Sequence, residues 1–221
     1  MLDLQEISLN MCIITVLYTI VHYYPGLKKY SNEIKFNVYR SLMCITFTCI
    51  GINIMVEHFG NGSLHPFSFQ HDTITEAFNL FMTYLVVDVI YMISSKNKRI
   101  DLYVHHILII IGLTISNYTN CFGYIQSIIL ICESLSIVSG IDSMAIEDKD
   151  NKLSYYCKKF RKNIIKYVRG PIWITALLII LYFIKKLPIL FSSSGIIVSV
   201  IMLYMDKIWE NKCNKVIDMY E

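Results

Sequence analysis

Charged residues are scarce in this 221-residue chain, in which Asp, Glu, Lys and Arg make up 17% and hydrophobic residues 55%. A typical soluble domain carries about 25% charged residues, and the mean hydropathy here is +0.49. The composition therefore excludes an ordinary soluble domain and predicts an integral membrane protein. The small net charge of +3 gives no indication of nucleic-acid binding.

The sequence also lacks the spacing of a disulfide or zinc framework. Its seven cysteines include no C-x-x-C pair and no repeated spacing, and most fall inside apolar runs, which is typical of small buried hydrophobic residues. No Lys or Arg precedes the first apolar run, and this segment carries Asp3 and Glu6. Because a cleavable signal peptide begins with a positive segment, we expect the first span to be retained.

Seven apolar stretches dominate the chain, each close to the ~20 residues that a helix needs to cross a bilayer. They cover residues 6–24, 40–57, 74–94, 102–119, 123–141, 169–187 and 189–206. The predicted fold class is therefore an all-α integral membrane protein with about seven transmembrane helices.

Lys and Arg are divided very unevenly between the two sets of predicted loops. The connections after spans one, three and five, with the tail after span seven, hold 18 of the 20. The opposite side holds only Lys185 and Lys186. Since basic loops stay on the cytosolic side, we expect the N-terminus outside or in the lumen and the C-terminus in the cytosol.

The predicted outer loops contain both N-x-S/T sequons, at Asn61 and Asn117, which are glycosylation candidates if these loops are lumenal. The loop between spans two and three also contains His58, His65 and His71. A zinc site formed by these histidines is an alternative, but no Cys or regularly spaced carboxylate accompanies them. We therefore predict no metal site.

The segment 148–168, between spans five and six, has apolar side chains three or four positions apart with lysines between them. The apolar positions are Leu153, Tyr156, Phe160, Ile164 and Val168. This spacing predicts an amphipathic helix on the cytosolic membrane surface, where anionic lipid attracts Lys and Arg; the alternative is a solvated basic loop. Gly170-Pro171 is expected to begin span six, because the first turn of a helix tolerates proline.

Spans three, four and five each hold ionisable side chains inside their predicted cytosolic ends; such groups are costly in hydrocarbon and therefore indicate a functional site. Asp88 lies in span three, His105 and His106 in span four, and Glu133 in span five. At 1.5 Å per residue, all lie roughly 5–13 Å inside the cytosolic ends. Short loops make these spans antiparallel neighbours, so we expect one chamber, open to the cytosol, in which Asp88, a histidine and Glu133 lie within one hydrogen bond or one water.

Consecutive helical residues point about 100° apart, so we expect one histidine to face the chamber while the other orients it or packs. A neutral imidazole held by a carboxylate can act as a general base or nucleophile in acyl transfer. Asp88, His105, His106 and Glu133 are therefore candidate catalytic and lipid-binding residues, beside a cavity of lipid size. The alternative is that they only hydrogen-bond the helices together.

A di-iron site would need repeated histidine clusters, which this chain lacks.

These residues resemble the pattern of the TLC-domain family, which includes ceramide synthases, translocating-chain-associating membrane proteins and smaller TLC-domain-only proteins. The resemblance rests on TYLVVDVIYM, a basic hairpin, DLYVHHILIIIGL and, about 27 residues after the histidine pair, ILICESLSI. It implies a TLC-type bundle over residues 35–210, after an N-terminal helix and linker at 1–34 and before a cytosolic tail at 211–221. It also implies an endoplasmic-reticulum-type endomembrane.

In the ceramide synthase branch, the histidine pair and the aspartates of a later H-D-x-x-D type pattern are taken as an acyltransferase centre. The matching place here reads Cys132-Glu133-Ser134-Leu135-Ser136, which is more similar to the A-E-L-S-S type sequence of the TLC-only branch. The resemblance thus implies a role in membrane lipid homeostasis, lipid binding or trafficking. Membrane lipids are the expected partners, and a homo-oligomer is an option. No cofactor is expected. The alternative is an N-acyltransferase that uses acyl-CoA as a substrate.

A seven-helix receptor or retinal protein would have the same span count and orientation. Span seven contains no lysine for a Schiff base, and no D-R-Y or N-P-x-x-Y sequence ends span three or span seven. The sequence therefore disfavours this class.

The predicted topology can be tested with tags at the two termini. In sealed microsomes, added protease is expected to remove a C-terminal tag and to leave an N-terminal tag intact, because 18 of 20 basic residues lie on the predicted cytosolic side. Two tags with the same protease sensitivity would contradict the seven-span count.

Overall fold

The computed structural model describes the backbone of residues 4–60, 72–119, 121 and 124–220, and the side chains of residues 6–57, 74–119, 121 and 127–220. Within these ranges the secondary structure is helical, without β-strands. Seven helical stretches there are long and apolar enough to cross a membrane. The all-α class and the number of candidate spans are therefore confirmed.

The described ranges contain nine α-helices in chain order. They are α1 Leu4–Tyr23, α2 Asn32–Gly60, α3 Asp72–Ser94, α4 Ile100–Tyr118, α5 Tyr124–Cys132, α6 Ser139–Glu147, α7 Asn151–Ile164, α8 Gly170–Phe183 and α9 Ile189–Ile217. A 3-10 turn at Glu133–Ser136 separates α5 from α6, and a π-helical segment at Ile165–Arg169 joins α7 to α8. Helices α2 and α9 extend beyond their predicted spans and across the domain boundaries placed after residues 34 and 210.

The basic connections meet at one end of the bundle, which we call the basic end. It comprises residues 28–35, 95–101, 148–162 and 207–215. Lys29 Nζ donates to Asp148 Oδ1 at 2.8 Å, and Lys212 Nζ to Asp101 Oδ2 at 3.1 Å. The first bond joins two loops and the second joins α9 to α4. The hydrogen bond from Lys29, with one from Tyr30, also holds the pKa of Asp148 below its ordinary value.

The basic segment between spans five and six is a helix that continues span six. Helix α7 runs through the π-helical segment into α8 without a break, and both helices pack against α9. Residues 151–164 form a helix, so the alternative of a solvated basic loop was wrong, whereas a position of this helix on the membrane surface stays a prediction. Pro171 lacks the N–H that would bond the carbonyl of Tyr167, and the wider π turn before it accommodates that loss without starting a new helix.

Helix α2 is the central element of the packing, since it contacts α1, α3, α5 and α6. Two of its contacts depend on glycine. A Cβ on Gly51 would lie 2.7 Å from Ser127 O, and a Cβ on Gly140 of α6 would lie 2.6 Å from Val38 Cα. Because both clashes are with backbone atoms, the helices approach closely only where a side chain is absent.

The close contact of α2 with α6 can be tested by replacing Gly140. Gly140→Ala is expected to destabilise the protein by about 1–3 kcal/mol, because the added methyl overpacks against the α2 backbone. Gly112→Ala is the matched control, since its Cβ would meet only Val198 Cγ2 at 3.7 Å. Thermal denaturation of detergent-purified protein measures both. Equal stability of the two variants would contradict the close approach.

Candidate functional site

Asp88 joins three helices through its two carboxylate oxygens. It lies on α3 with 0% exposure. Its Oδ1 accepts a hydrogen bond from Arg40 Nη2 of α2 at 2.6 Å, and its Oδ2 lies 2.8 Å from His106 Nε2 of α4. A buried carboxylate without partners costs several kcal/mol of stability, so these bonds stabilise the negative charge of Asp88 inside the bundle.

His105 points to a second carboxylate. Its Nε2 lies 3.6 Å from Glu133 Oε1, which is longer than a hydrogen bond, and its ring stands edge-on to Trp209 at 5.6 Å between centroids. Both histidines are buried, at 6% and 4% exposure for His105 and His106. The prediction that only one faces inward was therefore wrong, because each histidine has a carboxylate of its own.

The hydrogen bond to Asp88 fixes the tautomer of His106. Arg40 favours the ionised form of Asp88, and an ionised carboxylate only accepts hydrogen bonds, so we infer that His106 Nε2 carries the proton. His106 Nδ1 then keeps a lone pair. Within the described residues, neither His106 Nδ1 nor His105 Nδ1 has a hydrogen-bond partner. An imidazole with one nitrogen hydrogen-bonded to a carboxylate and an unshared lone pair on the other has the arrangement of a general base.

Glu133 sits where the fifth span changes its helical form. The 3-10 turn at Glu133–Ser136 disturbs the α-helical bonding of nearby carbonyls, and side chains from other helices bind two of them. Arg169 Nη1 donates to Cys132 O at 2.6 Å, and Ser41 Oγ lies 3.2 Å from Ser136 O. Irregular backbone at membrane depth requires such partners, so the turn and its supports form one unit.

Arg169 is a buried cation that sequence reasoning missed. It is 1% exposed, its Nε donates to Asp206 Oδ1 at 2.8 Å, and its guanidinium lies 5.2 Å from the ring of Trp209. By sequence, Arg169 is the first residue of predicted span six, next to the basic connection, and Asp206 is the last residue of predicted span seven. The only signal for the pair was an opposite charge at the edge of each apolar run.

A small cavity, which we call the polar chamber, lies between these groups. Its walls include Arg40, His105, His106, Glu133 and Arg169. Its volume is about 30 Å³, room for about two waters, since one water needs roughly 10–15 Å³ on this measure. The predicted lipid-sized cavity beside the histidines was therefore wrong, because the side chains lining the chamber, among them Tyr84, Leu135 and Trp209, leave no wider space.

Two further cavities flank the polar chamber along the bundle. The basic vestibule, about 250 Å³, is lined by Arg99, Lys158, Arg161, Trp209, Lys212, Cys213 and Val216. It shares Arg99, Arg161 and Trp209 with the polar chamber. The apolar crevice, about 50 Å³, is lined mainly by small and apolar residues, among them Gly112, Ser116, Trp173, Ala176, Gly195 and Val198. Trp173 follows Arg169 by one helical turn, so the crevice lies just beyond the chamber.

The remaining sequence candidates are the two sequons and the three histidines between spans two and three. Asn117 is half-buried near the end of α4. Asn61, His65 and His71 lie outside the described residues, as does the side chain of His58. Among the described side chains, no group of three or more His, Cys, Asp or Glu is placed to hold a metal ion.

Comparisons with protein-family models, with curated protein sequences and with solved structures find no match for this chain.

The Arg40–Asp88 pair can be tested by a double-mutant cycle. Arg40→Met and Asp88→Asn are each expected to cost about 3–5 kcal/mol, because each strands a buried charge. The double variant removes both charges and should cost less than the sum, with a coupling of about 0.5–3 kcal/mol. Thermal or denaturant unfolding of purified protein gives the four stabilities.

Lys207 and Glu210 provide the control cycle for this measurement. They form an ion pair of 2.9 Å on α9, with 67% of the Lys207 side chain exposed. Exposed pairs are worth at most about 1 kcal/mol, so Lys207→Met and Glu210→Gln should be nearly neutral. Additive losses in the Arg40 and Asp88 cycle would show that the two side chains are not paired.

Proposed function

We propose that this chain is a TLC-type multi-pass membrane protein that binds membrane lipid and acts in lipid homeostasis or trafficking. The observation that carries the proposal is the order of the three cavities, which are cationic at the basic end, polar in the middle and apolar beyond. A membrane lipid has the same order of headgroup, polar linkage and acyl chains. The basic end is proposed to face the cytosol of an endoplasmic-reticulum-type membrane.

The apolar crevice supports this proposal because it offers an apolar surface for part of an acyl chain and an unused polar group. Its walls include Gly112, Ala176 and Gly195, whose side chains are absent or small, and the crevice is partly open. Trp173 Nε1 is buried there and has no acceptor within the described residues. An unpaired buried N–H costs free energy, and a hydroxyl or carbonyl oxygen of a bound lipid would satisfy it.

The polar chamber limits how such a lipid binds. With space for about two waters, it admits a polar linkage only where the linkage replaces water, while the acyl chain stays in the crevice. The histidine pair would then hold the lipid by hydrogen bonds through the free Nδ1 atoms. Under this proposal, the ionisable cluster selects the polar part of the lipid and the crevice binds the chain.

The second candidate function is an acyl-CoA-dependent N-acyltransferase, and the free Nδ1 atoms favour it. In that reaction Nδ1 takes a proton from an amine as the nitrogen attacks the thioester carbon. The new C–N bond forms, the C–S bond breaks, and the proton passes from the imidazolium to the thiolate that leaves. Asp88 would stabilise the imidazolium on His106, as Glu133 would on His105.

A lipid comparison of cells with and without the protein tests the proposal. Cells that express the wild type are expected to differ in lipid composition from cells that express His105→Ala or His106→Ala at equal protein level. His22→Ala, a histidine of α1 outside the site, is the matched control and should behave as the wild type. Quantitative lipid mass spectrometry is the measurement, and circular dichroism of each purified variant verifies folding.

The outcome separates the two candidates. New ceramide or acyl-amide species that depend on the histidines would favour the acyltransferase, whereas altered levels of existing lipids would favour binding or trafficking. Identical lipid profiles in wild-type cells and in cells without the protein would contradict both.

A further inference from the structure

The basic vestibule carries more positive charge than the carboxylates around it neutralise. Four cations line it, namely Arg99, Lys158, Arg161 and Lys212. Among the described side chains, two carboxylates contact these cations. Asp101 pairs with Arg99 and Lys212, at 2.7 and 3.1 Å, and Asp142 pairs with Lys158 and, more loosely, with Arg161. The cluster therefore has a formal charge of +2.

Arg161 is the cation with the weakest pairing in this cluster. Its side chain is 16% exposed, and its nearest carboxylate oxygen, Asp142 Oδ2, lies 3.9 Å away, beyond a hydrogen bond. That oxygen already accepts from Lys158, and Asp142 Oδ1 accepts from Ser154. Within the described residues, Arg161 Nε has no acceptor.

A cavity lined by more guanidinium and ammonium groups than its carboxylates neutralise is suited to bind an anion. A planar guanidinium binds phosphate oxygens through two parallel N–H bonds, and lysines add point charge. A phosphomonoester carries about −1.5 to −2 charge at neutral pH, which matches the excess of +2. A carboxylate would leave half of that excess unbalanced. The cavity volume of about 250 Å³ also leaves space for water around a phosphate group.

We propose that the basic vestibule is a binding site for a phosphomonoester group, held by Arg161 with Arg99, Lys158 and Lys212. The group comes either from a lipid headgroup at the membrane surface or from a soluble phosphate compound. Under the proposed function this site would hold the lipid headgroup, but a soluble phosphate would use the same cations, so phosphate binding can be tested without lipid.

Two direct binding measurements distinguish these sources. In the first, the detergent-purified protein is dialysed to equilibrium against radiolabelled inorganic phosphate at constant ionic strength, because added salt would screen the charges. In the second, the protein is released from nanodiscs of phosphatidylcholine with phosphatidic acid, and native mass spectrometry counts the bound phosphatidic acid. Saturation at one equivalent is expected in at least one measurement.

Variants on two helices test which cations form the site. Arg161→Gln and Lys212→Gln are each expected to weaken binding about tenfold, the loss that follows removal of one charge-assisted hydrogen bond. Lys207→Gln, an exposed lysine of α9 outside the vestibule, is the control and should bind as the wild type. Lys212 is 54% exposed at its side chain, so this variant remains informative if Arg161→Gln does not fold.

Each outcome bears directly on the proposal. Saturable phosphate binding that depends on Arg161 or Lys212 supports a soluble phosphate ligand, and phosphatidic acid binding alone with the same dependence supports a lipid headgroup. Absence of saturable binding in both measurements would overturn the proposal. Equal weakening by Lys207→Gln would overturn it too, because binding would then follow net charge and not the vestibule.

Discussion

The pairing of one buried carboxylate is the constraint on which the site depends. Asp88 has no exposed surface, so its charge is stable only while Arg40 and His106 hold its two oxygens. Because these partners come from α2 and α4, the same bonds fix the positions of three helices. The histidine pair is therefore oriented by the charge network and not by packing alone.

A second constraint acts through the backbone of the fifth span. The 3-10 turn that begins at Glu133 needs hydrogen-bond partners from outside its own helix, and Arg169 supplies one while it also pairs with Asp206. This arrangement links the helix irregularity, the second buried ion pair and the Glu133 carboxylate. Movement of any one of them would change the polar chamber between them.

Sequence reasoning finds residues whose type is unusual for their surroundings. Asp88, the histidine pair and Glu133 could be predicted because a charged or polar group inside an apolar run needs an explanation. Arg40 and Arg169 could not, because each lies at the edge of an apolar run, where hydropathy places arginine in a loop. Helix continuation past those edges follows from tertiary packing, and so does the small volume of the polar chamber, which depends on how side chains from several helices fill one space.

We infer that Asp88 holds His106 at Nε2 and leaves Nδ1 free. Nuclear magnetic resonance of the protein with ¹⁵N-labelled histidine in lipid bilayers reports the protonation of each ring nitrogen. The His106 signals are assigned by their loss in His106→Gln. We expect a proton on Nε2 and an unprotonated Nδ1 at neutral pH, and loss of that preference in Asp88→Asn. A proton on Nδ1 with a bare Nε2 in the wild type would contradict it.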